Sequence, residues 1–400
     1  MEHFPVQSTL LGMRGQAMIV ADDMVDAAPP RLGGAALLAA LARFRDACRT
    51  APAGAVEERF VTENIEHLAG IGLLAAPLPV AHGGLGWGTE PHAAAAISNA
   101  LRLLGQTSLA LGRVFEGHVN AIRLLHRLGG ATLFRGVASD VRSGRLIGLW
   151  VTSFADPVRL GPAAPGQVAL CGTLDVCSGV GIAGRAVIMV KDSLGLEHLA
   201  YVPTADIAVV GERHAALMGM RAAMTAPVRI GNEVPLASIF AGPGGYMAEP
   251  DFSAGAWRTS AVTVGGLEAL VRAAMDQLAA RGRANDPHQR ARLGQMLMAR
   301  ETALLWIAHA AGMAEADGAE PGPTIACVNL ARLAIERCCL EVIPLVQRSL
   351  GLACMQQSNP IEQMMRDLST YLRQPAGDEV LALAADWYLS QNEAELIITP

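Results

Sequence analysis

The chain has 400 residues, a formal net charge of −6, and a composition that is 52% hydrophobic and 17% charged. Such a chain can bury a large core, which excludes a disordered protein. The acidic balance, with no basic run interleaved with aromatics, argues against a nucleic-acid binder.

Its length exceeds one ordinary core and predicts two or three packed units. The seven cysteines, at 48, 171, 177, 327, 338, 339 and 354, form neither a C-x-x-C pair nor a zinc-like Cys/His spacing. They read as reduced core thiols of a cytoplasmic protein, with no metal site. Met1-Glu2-His3 starts without a basic or apolar leader, so no signal peptide is expected. No run is expected to be long and apolar enough to cross a membrane, and no membrane partner is expected.

Residues 1–30 read as an N-terminal tail ending at Ala27-Ala28-Pro29-Pro30. Residues 31–145 carry Ala and Leu at three- and four-residue spacing, as in "GGAALLAALARFRDAC" and "TSLALGRVFEGHVNAIRLLHRLGG", and predict an all-α unit. Gly129-Gly130 stops the second of these helices. Across 146–250 short Val/Ile/Leu runs alternate with Gly, Pro, Asp and Asn, which predicts a small β-barrel or sandwich. Residues 251–400 return to helical patterns, broken at Asp286-Pro287, Pro321-Gly322-Pro323, Asn359-Pro360 and Pro375. The fold class is therefore α+β: a helical unit, a central β unit and a C-terminal helical bundle.

Residues 179–184 read G-V-G-I-A-G. A dinucleotide fingerprint needs a helix directly behind it, whose N-terminus holds the pyrophosphate. Here "RAVIMVKD" follows, a β-branched run, so the glycines predict a tight connection between strands and a Rossmann dehydrogenase is rejected.

The helical–β–helical order is joined by local motifs: "PLPVAHGGLG" at 77–86, "LWVTS" at 149–153, "GTLDVCSGVGIAG", "MGMRAAMTAPVRIGNEVPLASIFAGPGGY" at 218–246, "WRTSAVTVGGLEALVRAAMDQLAARGRANDP" at 257–287, and "NPIEQMMRDL" at 359–368. In order and spacing these resemble the acyl-CoA dehydrogenase superfamily over roughly residues 35–395, the last being the most specific match. The resemblance implies an N-terminal helical domain, a small β-barrel and a four-helix bundle. It also implies FAD in a homodimer or homotetramer, with an acyl-CoA or carrier-bound acyl thioester as the small-molecule substrate. Thr152, Ser153 and Ser178 match positions that contact the flavin ring, where hydroxyl donors stabilise charge on the reduced ring. Arg281, with Arg283 as its alternative, matches an arginine that reaches a neighbouring subunit's pyrophosphate, a task suited to a guanidinium fork. Gln347 and Gly351 fall at the adenosine-binding loop, which here reads "LGLACMQQ" and keeps one glycine.

The family's proton-abstracting glutamate is missing from both of its usual places. Gln374-Pro375 stands at one and Trp257-Arg258 at the other. Asp378 and Glu379 read as helix-capping and first-turn charges. A second polar group lies in "GRVFEGHVNAIR", where Arg113, Glu116, Asn120 and Arg123 share a helix face and His118 stands nearby. Arg113, Glu116 and His118 are candidate catalytic residues there; a salt-bridged core contact is the equal alternative. Three readings stay open: an acyl-thioester dehydrogenase, a flavin monooxygenase or N-oxygenase of the same fold, and a non-catalytic assembly partner.

Overall fold

A computed structural model describes residues 32–50, 59–211 and 217–391. The expected tail at 1–30 lies outside these residues. The N-terminal helices are α1 (Gly34–Thr50), α2 (Phe60–Gly70), α3 (Ala94–Thr107), α4 (Leu109–Leu128) and α5 (Gly130–Arg142). Ser108 starts α4 by accepting from Leu111 N at 3.3 Å, the local bond that favours hydroxyl residues at helix starts. Gly129 ends α4, as its position in the sequence predicts.

Among the described residues nine strands follow: β1 (Leu146–Trp150), β2 (Arg159–Gly161), β3 (Gln167–Cys177), β4 (Ala183–Lys191), β5 (Glu197–Pro203), β6 (Ala208–Val209), β7 (Ala226–Ile230), β8 (Glu233–Pro235) and β9 (Ile239–Phe240). They form one sheet in the order β6-β7-β3-β2-β4-β5-β9, with β1 parallel to β4 and β8 antiparallel to β3. The G-V-G-I-A-G segment is the turn from β3 into β4. Gly179 and Gly181 sit there at φ +76° and +92°, a backbone that residues with a Cβ rarely adopt.

The C-terminal part holds α6 (Asp251–Ala254), α7 (Ala256–Ala280), α8 (Pro287–Glu315), α9 (Pro321–Leu350), α10 (Pro360–Tyr371) and α11 (Gly377–Ser390). The expected breaks are helix starts: Pro287, Pro321 and Pro360 each occupy a first-turn position, where a missing N–H costs nothing. Asp286 and Asn359 cap α8 and α10. Asp378 does not cap α11. Ala376 holds that position at φ +60°, and Asp378 and Glu379 supply first-turn charge.

One membrane-related expectation is corrected. Pro321–Met355, which contains α9, is long and apolar enough to span a bilayer by length and composition. The residues along this helix include buried Val328, Ile335, Val342 and Val346, and α9 packs on α7, α8 and α11, so much of its apolarity serves the bundle.

The close approach of α3 to α7 positions the site. A Cβ on Gly105 would lie 2.2 Å from Val262 O, and one on Gly265 would lie 2.2 Å from Arg102 O. With no side chain at either crossing point the backbones touch, which brings α4 against the first turns of α7.

Candidate active site

Two polar groups meet where α4, α7, α10 and the sheet converge. The first lies at the exits of β1 and β3. Trp150 Nε1 donates to Ser178 O at 2.8 Å, tying the strand ends together. Asp175 N donates to Thr152 O at 2.8 Å, so the chain leaving β1 runs back along β3. Thr152, Ser153 and Ser178 are thereby gathered in one region. Ser178 Oγ pairs with Thr225 Oγ1 at 3.0 Å, while Ser153 Oγ is buried and makes no hydrogen bond among the described residues. Thr225, the residue just before β7, was not anticipated from sequence.

The second group surrounds Glu116, which is 1% exposed. Its carboxylate takes Arg113 on one oxygen and Asn120 on the other, which also accepts from Thr259 Oγ1 at 3.1 Å. Tyr246 and Tyr371 stand close enough to interact electrostatically with this pair. Burial opposes the charge on Arg113, but Glu116 together with Tyr371 and Tyr246 more than offsets it and the guanidinium is held above its usual range. Burial pushes Tyr246 up to about 12, against the pull of Arg113. Tyr371 is raised further by burial and then by Glu116, so both tyrosines are neutral O–H groups at physiological pH. Arg113 joins the two groups, because its side chain also lines a cavity of about 10 Å³ with Ser178, Gly117 and the β1 residues 146–149. That is room for about one water molecule.

A chain of ion pairs continues outward from Asn120. Arg258 Nη1 donates to Asn120 Oδ1 at 3.1 Å and pairs through Nη2 with Glu315, which also accepts from Trp257 Nε1 at 2.9 Å. Arg123 bonds Glu315 at 2.8 Å and reaches Asp251 at 3.3 Å. Burial pulls Arg258 down to about 10 despite Glu315. Trp257-Arg258, at one of the two empty base positions, is thus part of a salt-bridged frame.

His118 belongs elsewhere. Ile147 N donates to its Nδ1 at 2.9 Å, so the proton sits on Nε2, which donates to Leu74 O at 2.9 Å. Both ring nitrogens are used, and burial pulls the ring down to about 4. The expectation of a catalytic His118 is corrected: the imidazole is a neutral clamp between the N-terminal helices and β1.

The remaining expected residues lie at the far end of α7, about 33 Å from Thr259 by helical rise. There Arg281 donates to Leu350 O at 3.3 Å and to Gln277 at 3.2 Å, and Gly351 N donates to Gln347 O. Arg283 is half exposed and lies 4.0 Å from Asp286. Arg281, Gln347 and Gly351 meet, but not with Thr152 or Ser178. Gln374 Nε2 folds back onto Tyr371 O at 2.8 Å, and Pro375 O accepts from Arg332.

No protein-family model and no curated protein sequence matches the chain. Solved structures do. FMN-bound TdsC from Paenibacillus sp. A11-2 superposes with a TM-score of 0.76 at 17% identity, covering 90% of this chain and 98% of TdsC. Butyryl-CoA dehydrogenase from Megasphaera elsdenii superposes with a TM-score of 0.75 at 15% identity, covering 92% and 100%. The chain has the acyl-CoA dehydrogenase fold. KijD3, solved with FMN and a dTDP-linked amino sugar, matches with a TM-score of 0.76 at 20% identity over 93% and 96%. In this chain β1, β3, α4, α7 and α10 converge on one region, which holds the hydroxyl group and the Glu116 cluster.

Proposed function

We propose that the chain is a flavin-dependent oxygenase of a small molecule. The observation that carries this reading is the fate of the carboxylates. At one usual base position the Gln374-Pro375 corner is turned onto Tyr371 O and Arg332. Glu116, the buried carboxylate in the cluster, is engaged by Arg113, Asn120 and Thr259. A base for a weakly acidic C–H needs a lone pair aimed at that proton, and three of the roughly four on Glu116 are already committed, one of them to a cation. Oxygen transfer needs no such base.

The donor set suits a flavin. Thr152, Ser153 and Ser178, with the unpaired buried Ser153 hydroxyl among them, would hold its polar edge. Bound in reduced form, a flavin supplies the two electrons that split dioxygen, one oxygen atom entering the substrate and the other leaving as water. FAD follows from the family resemblance, while TdsC and KijD3 were solved with FMN. Heat release of the bound flavin and mass measurement decides between them.

The test is direct. Flavin-loaded protein is mixed without oxygen with butyryl-CoA and longer acyl-CoAs, and its visible absorbance is followed. We expect no bleaching. Photoreduced protein is then given isotope-labelled dioxygen and a panel of aromatic and amine compounds, and one labelled atom is expected in a product. Bleaching by an acyl-CoA would overturn the oxygenase reading in favour of a dehydrogenase.

A further inference from the structure

Tyr371 ends α10, four residues before the Pro375 corner, and is 5% exposed. Its hydroxyl is buried and completes no hydrogen bond among the described residues, although the Thr259 hydroxyl, Glu116 and Arg113 are its polar neighbours. A buried hydroxyl without a partner costs about 1–3 kcal/mol, so such a group calls for a reason. Its neighbours reach the surface: Thr259 and Tyr246 are half buried and Arg113 retains 29% side-chain exposure.

The directions of the hydrogen bonds are constrained. Glu116 is ion-paired to Arg113 and can only accept. Thr259 donates its one proton to Glu116, so its oxygen can only accept from the next group. Thr259 and Glu116 thus offer the tyrosine acceptors only, so its proton is drawn toward them without completing a bond, and its oxygen is left to accept from a donor.

We propose that Tyr371 is a substrate-contacting residue that accepts a hydrogen bond, and that the substrate consequently carries an N–H or O–H group beside the atom to be oxygenated. This rests on the oxygenase reading for its chemistry, but its recognition claim is tested by binding alone. Glu116 and Thr259 act as positioning residues by fixing which way the tyrosine proton points.

The experiment uses flavin-loaded protein and three probe pairs: indole and 1-methylindole, aniline and N,N-dimethylaniline, phenol and anisole. Binding is read from perturbation of the flavin absorbance. The donor-bearing member of at least one pair should bind about ten-fold more tightly than its methylated partner, the value of one well-formed hydrogen bond. Tyr371→Phe, which keeps the ring and the packing, should abolish the difference while retaining flavin. Thr259→Val should reduce it, because the tyrosine proton is then free to turn outward. Equal affinities within every pair, no binding of any probe, or a preference that survives in Tyr371→Phe would each overturn the assignment. Bleaching by acyl-CoA in the preceding experiment would sink the oxygenase reading while leaving the probe preference to stand or fall by itself.

Discussion

At Glu116 and His118 the same helix uses burial in two ways. Glu116 is ionic and compensated on every side, so removing one partner should cost more than removing both. Glu116→Gln should lower stability by about 2–4 kcal/mol because Arg113 loses its counter-charge. The double variant Glu116→Gln, Arg113→Met should recover most of that, and urea unfolding midpoints of the two proteins check the order. His118 is instead neutral, with a folded value near 4 against 6.5 when free. The unfolded chain then binds more protons between those values, so stability is full above about pH 6.5 and falls as pH drops toward 4. The contribution is about 3 kcal/mol, from the size of the shift. In His118→Gln, unfolding midpoints at pH 7 and pH 5 should converge, although the protein is less stable at pH 7. A wild-type difference that persists in the variant would show that another group sets the acid limit. The spacing of Arg113, Glu116 and Asn120 exposed their shared face in sequence. The role of His118 was hidden because its partners are backbone groups of Leu74 and Ile147, 44 and 29 residues away.

The elements meet through small contacts with large leverage. Gly265 lies against Arg102 O, so Gly265→Ala must push α3 and α7 apart. We expect a loss of roughly 3 kcal/mol or more, the upper range for overpacking, read as a drop in the thermal midpoint. The R-D pair of "NPIEQMMRDL" has a comparable task. Asp367 Oδ1 accepts from Met220 N at 2.6 Å, and Arg366 Nη1 donates to Met218 O at 2.8 Å, which fastens α10 to the segment before β7. Asp367→Ala should loosen this seam and weaken flavin retention on gel filtration, with helical content unchanged by circular dichroism. Unaltered flavin retention would separate the seam from the cofactor site. Tyr371 lies on the same helix as this motif, and its signal was available: the chain has 4 tyrosines, and two of them stand in one cluster.

At the scale of the whole molecule, the two ends of α7 carry different sets of expected cofactor residues. Thr259 marks one end and Arg281 the other, about 33 Å apart by helical rise. We propose that Arg281, Gln347 and Gly351 serve the flavin of a second copy, in line with the homodimer or homotetramer implied by the family resemblance. Strongly exposed apolar residues on α8 and just after α9, Met298, Leu305 and Leu352, suit burial in such an assembly. Light scattering of the purified protein should give a mass of two or four chains. Arg281→Ala should then reduce flavin content while Thr152, Ser153 and Ser178 are intact. A monomer that retains its flavin would refute this arrangement.

The order of textures, the helix starts at Pro287, Pro321 and Pro360, and the strand-to-strand turn at the 179–184 glycines were all readable from the chain. Each depends on interactions within a few residues: first-turn prolines, N-cap side chains, and alternation along a strand. The absence of a carboxylate at 374–375 was equally plain, since it is a matter of residue identity. Only the tertiary structure separated Glu116 from His118, brought Tyr371 beside Thr259, and split the residues expected to hold a flavin between the ends of α7. Those outcomes depend on which distant groups share a buried space, where the low dielectric makes every unpaired donor or charge costly and so decides its partner.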